Sequence, residues 1–169
     1  MAIYLADGEI PVMDRRAALA LREFRTAAAE LAEVSRFDVR NLAFCSEVES
    51  YGRYVKFEPN RFEPNQQVLL YVEIDNFTVE ETTDGFATAF KGNYQILDFS
   101  GNRVADETFQ LEQETCRNRR RDYFIPYRMW MPKEIQPGSY TLQLTIEDVK
   151  GHKFGQSSID FENFRYKDD

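Results

Sequence analysis

Hydrophobic and polar positions alternate most cleanly in the last third of the chain. Tyr140, Leu142, Leu144 and Ile146 fall on one side of a period-two run, and Thr141, Gln143, Thr145 and Glu147 on the other. Strict alternation of this length predicts a half-buried β-strand. Pro137-Gly138 opens the run, a stretch containing Gly151 interrupts it, and Ser157, Ile159 and Phe161 resume it against Ser158, Asp160 and Glu162. Residues 136–164 therefore read as a closing β-hairpin. The same period marks earlier strands at residues 39–48, 53–57, 68–75, 86–98, 104–115 and 123–131. Turn signals such as Glu63-Pro64-Asn65-Gln66 and Ser100-Gly101-Asn102 separate them. Gly92 predicts a bend inside the 86–98 strand. About eight short strands with no crossover helices between them predict an antiparallel sandwich.

Before residue 36 the period changes. Asp14 can cap a helix beginning at Arg15, and Leu21, Phe24, Ala28 and Leu31 recur at spacings of three and four. This narrow apolar stripe suits docking on a second helix or on the sheet. The chain thus divides into a helical segment at residues 1–35 and a β-sandwich domain at residues 36–169. Residues 2–8 read as the last turn of an earlier helix running into Gly8, which makes the segment the end of a longer region.

Composition narrows the function classes. The chain has 169 residues, a net charge of -8 and a pI near 4.8. That balance argues against general nucleic-acid binding, which wants a basic surface. No apolar run approaches the roughly 20 residues a membrane-spanning helix needs. The first residues lack the pattern of an export signal, so the chain as written reads as cytoplasmic. One histidine and no Cys-x-x-Cys pair leave no zinc site of the usual kinds. Cys45 and Cys116 can be two separate thiols or a disulfide, and closing so long a loop would add roughly 4 kcal/mol in the chain-entropy model.

Arginines 117, 119, 120 and 121 are the sharpest anomaly in an acidic chain. Guanidinium forks on one loop can hold phosphate, sulfate or an acidic protein surface. They can equally pair with Glu112, Glu114 and Asp122 as ordinary solvated charge. Glu80, Glu81 and Asp84 lack the ligand spacing of a calcium loop, and Asp98 fits a hairpin turn. His152 has no serine or cysteine in a nucleophile context nearby, and no nucleotide motif is present, so no cofactor and no catalysis are expected. Asn76-Phe77-Thr78 matches a glycosylation acceptor by a short pattern. The run from Tyr123 through Tyr127 and Trp130 to Met131 carries large apolar groups on both faces. Its second face is either covered by the N-terminal helix or a binding patch.

The closing run Pro-Gly-x-Tyr-x-Leu-x-Leu-x-Ile-x-Asp resembles the last hairpin of bacterial immunoglobulin-like or fibronectin-III-like modules. More specifically, the chain is similar to a group of uncharacterised planctomycete proteins. The matching stretches are Val-Arg-Asn-Leu-Ala-Phe-Cys at 39–45, Val-Leu-Leu-Tyr-Val-Glu at 68–73, Arg-Arg-Asp-Tyr-Phe at 120–124, the run at 141–148 and Gly-Gln-Ser-Ser at 155–158. The resemblance implies a mainly β, immunoglobulin-like sandwich, an export or lipoprotein leader in longer members, and a periplasmic or cell-envelope location. It supplies no catalytic or ligand residues. Cys45 and Cys116 lie in or beside matching stretches, which favours the disulfide. The resulting expectation is a non-catalytic structural or protein-interaction module of an envelope protein. The alternative is a carbohydrate- or anion-binding sandwich that uses Tyr127, Trp130 and the loop of Arg117, Arg119, Arg120 and Arg121.

Overall fold

The computed structural model describes residues 13–164. One helix, α1 (Met13–Val34), precedes a strand-rich body. The strands are β1 (Asp38–Ser50), β2 (Arg53–Lys56), β3 (Arg61–Phe62), β4 (Gln67–Asp75), β5 (Glu80–Thr82) and β6 (Gly85–Asp98). They continue with β7 (Arg103–Thr108), β8 (Glu112–Cys116), β9 (Tyr123–Trp130), β10 (Gly138–Asp148) and β11 (Lys153–Asn163). One sheet runs β2-β1-β4-β9, and the other runs β3-β11-β10-β6-β5 with β7 and β8 also on β6. All pairings are antiparallel except the two-residue contact of β3 with β11. The chain is therefore mainly β, an antiparallel two-sheet sandwich with an N-terminal helix.

The closing hairpin forms as its alternation dictates. β10 and β11 pair without a register break from Gly138↔Asn163 to Asp148↔Lys153. Tyr140, Leu142, Leu144 and Ile146 are buried against Val68, Leu70, Val72 and Ile74 of β4 within one core cluster. Burying such side chains contributes about 1.5–3 kcal/mol each, which is what holds the two sheets face to face. Gly92 does not end or divide β6. It sits level with the change of partner from β8 to β7, and its missing side chain makes room for the Tyr127 ring, whose hydroxyl would lie 2.5 Å from an added Cβ. The expected strand at 104–115 is split into β7 and β8 there, where the Phe109 N–H donates to the Gly92 carbonyl at 2.9 Å.

A second, smaller cluster lies on the outer face of the β4 sheet. Asn41 adopts φ 53°, and the β1–β4 register shifts between Arg40 and Ala43. This bulge changes the parity of β1, so Phe44 faces the main core while Ala43 and Cys45 pack outward against Tyr71. Tyr71 is stacked between Tyr54 at 4.0 Å and Phe124 at 5.6 Å. Its hydroxyl donates to Glu73 at 2.8 Å and accepts from the Gly52 N–H at 2.8 Å. Glu73 also accepts from Asn41 at 2.7 Å and Tyr51 at 3.1 Å, with Arg40 at 3.6 Å.

Burial alone would push the Glu73 carboxyl up. The hydrogen bonds from Asn41, Tyr71 and Tyr51 and the Arg40 charge outweigh it and hold the group below its ordinary value of 4.5. A depressed folded-state pKa stabilises above the ordinary value and loses that contribution as pH falls towards the folded one. Thermal unfolding of the native chain should therefore lose midpoint faster than Glu73→Gln on acidification below pH 4.5. Parallel curves for the two proteins would refute the link.

Among the described residues β9 is an edge of its sheet, and it carries Pro126 at its middle, opposite Tyr71. Its outer positions Pro126, Arg128 and Trp130 are exposed. Helix α1 does not cover them. The turn between β1 and β2 does part of that work, bringing Tyr51 edge-on to Phe124 at 6.3 Å.

Candidate functional site

Helix α1 is tied to one end of the sandwich by its own C-terminus. The Lys153 ammonium donates to the carbonyls of Ala32 at 3.4 Å, Glu33 at 3.2 Å and Asn76. A cation on the last helical carbonyls satisfies acceptors that have no intrahelical donor and offsets the negative end of the helix dipole. Lys153 also faces the fully buried Asp148 at 3.9 Å. A second tie is the ion pair of Arg119 with Glu33. Neither Lys153 nor Asp148 stands out in the sequence, where both read as turn residues.

Between the helix and the sandwich lies a cleft of about 650 Å³. Arg22 and Arg25 line it from α1, and Arg119, Arg120 and Arg121 from the loop after β8. Its floor includes Phe77 and Val79. The structure thus joins three of the four sequence-predicted arginines to two helical ones that the sequence reading passed over. The signal was present: residues 22 and 25 share a helix face with Ala18, Ala29 and Ala32, which also line the cleft. Arg117 is exposed and does not line it.

The five guanidinium groups are unequally compensated. Arg120 pairs with Glu114 at 2.8 Å and lies over the Tyr123 ring at 5.2 Å. Contacts with Cys116 and Glu114 hold it above the ordinary arginine range, so it stays charged. Arg119 is taken by Glu33, and Arg22 reaches Glu23 at 3.7 Å. Among the described residues, Arg25 and Arg121 make no ion pair and no side-chain hydrogen bond. Two carboxylates, Glu30 and Asp75, line the cleft, and Asp75 is already paired with Arg40 at 2.6 Å. The cleft therefore holds an excess of positive charge in a chain whose net charge is -8.

The other predicted residues do not assemble. Tyr127 is buried on the inner face, packed on Phe109 at 4.0 Å, while Trp130 is half exposed on the outer face. Residues 127 and 130 have opposite parity in one strand, so they cannot form the stacking platform expected for sugar binding. The expected disulfide is also corrected: Cys45 and Cys116 are both free. Cys45 sits beneath Tyr71 on β1, and Cys116 ends β8 in the other sheet. Burial pushes the Cys45 thiol up to about 11, so it stays protonated.

Asn76 of the glycosylation pattern donates its amide to the Arg36 carbonyl at 3.1 Å and lines the cleft. His152 is exposed on the β10–β11 turn with φ 51°. Asp98 accepts the N–H groups of Ser100 and Asn102, the turn role expected of it. Among the described residues no group of three His, Cys, Asp or Glu side chains could hold a metal, and no helix is long and apolar enough to cross a membrane. The proposed helix end at residues 2–8 lies outside the described residues.

No family model and no curated protein matches the chain. Among solved structures it is similar to the Pseudomonas fluorescens alkylpurine DNA glycosylase AlkC bound to DNA containing an abasic site analog. Identity is 11%, coverage is 97% of this chain and 42% of that one, and the TM-score is 0.43. The chain thus spans less than half the length of that protein. The C-terminal domain of Wzt is 14% identical over 78% of this chain and 75% of that one, with a TM-score of 0.47. A Niemann-Pick type C2 protein from the Japanese carpenter ant is 7% identical over 77% and 94%, with a TM-score of 0.45. Likenesses this distant carry no functional argument.

Proposed function

We propose that this chain is a non-catalytic binding module whose ligand presents an anionic group to the cleft between α1 and the sandwich. The observation that carries the reading is the convergence of five arginines from two separate elements, two of them without a partner among the described residues. Arg25 and Arg121 are the ligand contacts in this reading. Arg119 and Arg120 are held by Glu33 and Glu114 and shape the rim. Planar guanidinium forks match carboxylate and phosphate oxygens bidentately, and the apolar floor at Phe77 and Val79 strengthens such contacts by excluding water. The sugar-stacking alternative has no aromatic pair to support it, since Tyr127 is buried.

Inorganic pyrophosphate serves as a test probe. A ligand that binds only the folded state stabilises it by about 2.7 kcal/mol at a hundred times its dissociation constant. The native chain should show a pyrophosphate-dependent rise in Tm beyond that given by sodium chloride of equal ionic strength. The Arg25→Ala/Arg121→Ala variant should lose that rise while keeping its Tm in plain buffer, because neither side chain pairs with another of the described residues. An equal rise in both proteins would sink the proposal.

A further inference from the structure

Exposed aromatic side chains among the described residues include Phe24, Phe99, Trp130 and Phe154. Phe24 belongs to the apolar stripe of α1, which does not dock on the sheet as its pattern predicts: Leu21, Phe24 and Leu31 are all exposed. Phe99 and Phe154 mark the two ends of a different surface, the outer face of the sheet that contains β6, β10 and β11. Tyr127 and Trp130 belong to the other sheet. Phe154 stands on β11 opposite Glu147, and Phe99 follows Asp98, which is opposite Tyr140. Seven residues of β10 separate the two levels, about 24 Å along the strand.

Between these ends the three strands run in unbroken register. One row is Asn93, Thr145 and Gln156, and the next is Gln95, Gln143 and Ser158. They take the outer face because Tyr94, Ile96, Leu142, Leu144 and Ile146 take the inner one. All six are amides or hydroxyls in a chain in which 30% of residues are charged, so a charged ligand finds no counter-charge there. A protein partner finds no apolar core to desolvate there either. Gln156 donates to Thr145 at 3.0 Å. Asn93, Gln95 and Gln143 are half-buried and make no side-chain hydrogen bond among the described residues. Their amides are left free to donate and to accept.

The strip ends in two depressions. One, of about 210 Å³, is lined by Phe154, Thr145, Asn93 and Thr108. Lys91 and Glu147 also line it, level with each other on neighbouring strands, so their charges offset. The other, of about 580 Å³, is lined by Phe99, Ser139, Thr141 and Asn60. There Arg61 is paired with Glu162, Asp160 accepts from Thr141, and Asp98 is taken up by its own turn. Each depression sets an exposed ring beside hydroxyl and amide groups. A sugar ring has the matching chemistry, with C–H faces that lie on an aromatic ring and edge hydroxyls that donate and accept. The length of the strip calls for a chain of such rings. We infer that this outer face binds a neutral polysaccharide laid along β10, with Phe154 and Phe99 stacking at its two ends and Asn93, Gln95 and Gln143 holding hydroxyls between them.

Native electrophoresis in gels cast with soluble starch, galactomannan or hydroxyethylcellulose tests it. At least one of the three should retard the native chain relative to a plain gel. Phe154→Ala should weaken that interaction about ten-fold or more, Phe99→Ala should weaken it as well, and Gln143→Ala should weaken it about two- to ten-fold. The three side chains lie on the solvent side of the sheet, so the circular dichroism spectrum of each variant should be unchanged. No retardation by any of the three polysaccharides would overturn the inference, as would retardation that Phe154→Ala leaves intact. Retardation that depends on Phe154 and not on Phe99 would overturn the extended chain in favour of a single-ring site. A native chain that self-associates through Phe154 without polysaccharide would overturn it in favour of a second copy. The Phe154→Ala variant should keep its pyrophosphate response, and the Arg25→Ala/Arg121→Ala variant its retardation, which separates this face from the cleft.

Discussion

Asp148→Ala is expected to lower the unfolding free energy by about 3–5 kcal/mol, the range for removing one partner of a buried charge pair. Asp148 is fully buried and accepts the N–H of Thr78 at 2.8 Å and of Gly151 at 3.1 Å. It also faces the Lys153 ammonium at 3.9 Å. One carboxylate therefore clips the β4–β5 connection to the β10–β11 turn, and through Lys153 reaches the end of α1. Alanine would leave two amides without their acceptor and an ammonium without its counter-charge.

The loss would be a large share of the about 5–15 kcal/mol that usually holds a domain folded. Gly151 belongs to the same clip, since an added Cβ would lie 2.5 Å from the Asp148 carboxylate and 2.1 Å from the Thr78 hydroxyl. Urea denaturation measures the loss, and hydrogen exchange should show the last turn of α1 opening first. Asp148→Asn keeps an acceptor and should cost less. A cost below about 1 kcal/mol for alanine would mean that the clip is not structural.

Tyr71→Ala should cost about 3–5 kcal/mol, as for other large-to-small changes at buried aromatics. Two sources add. The ring fills the outer cluster between Tyr54 and Phe124, and the hydroxyl links Glu73 to the β1–β2 turn through Gly52. Tyr71→Phe separates them, because it removes only the hydroxyl, at about 1–3 kcal/mol for a hydrogen bond to a charged group. Cys45 gives an independent readout. It is buried beneath this ring, so Tyr71→Ala should open it to a thiol reagent in the folded state while Tyr71→Phe should not. Equal reactivity in the native chain and the alanine variant would show that Tyr71 is not the cover.

The parts of the fold that the sequence reveals are those where one strand face is buried and the other wet. Residues 140–146 and 68–74 announce their faces because solvent on one side permits only polar residues there. The outer cluster was hidden by the same rule. Tyr71 and Glu73 occupy the face that alternation assigns to water, and only the β1–β2 hairpin folding back with Tyr51 and Tyr54 makes it a second interior. Periodicity likewise named the apolar face of α1 but not what lies against it.

The arginine loop was legible as composition, because such a cluster is unusual in an acidic chain. Its completion by Arg22 and Arg25 depends on where the helix docks. That is set by Lys153, more than a hundred residues away. The cysteines misled for a related reason: similarity of surrounding sequence says nothing about distance across two sheets.

Pro126 has a consequence for how this molecule can polymerise. A free sheet edge is a template on which another chain can add a strand, the route to fibrous aggregates. β9 is such an edge, but its central residue has no N–H to offer, and the residues on either side cannot sustain a ladder across the gap. The opposite edge, β2, is four residues long and carries Arg53 and Lys56 at its ends. Both edges of this sheet are thus poor seeds for growth. Association with other molecules is left to side-chain surfaces, where contact can be made and broken without templating an open-ended fibril.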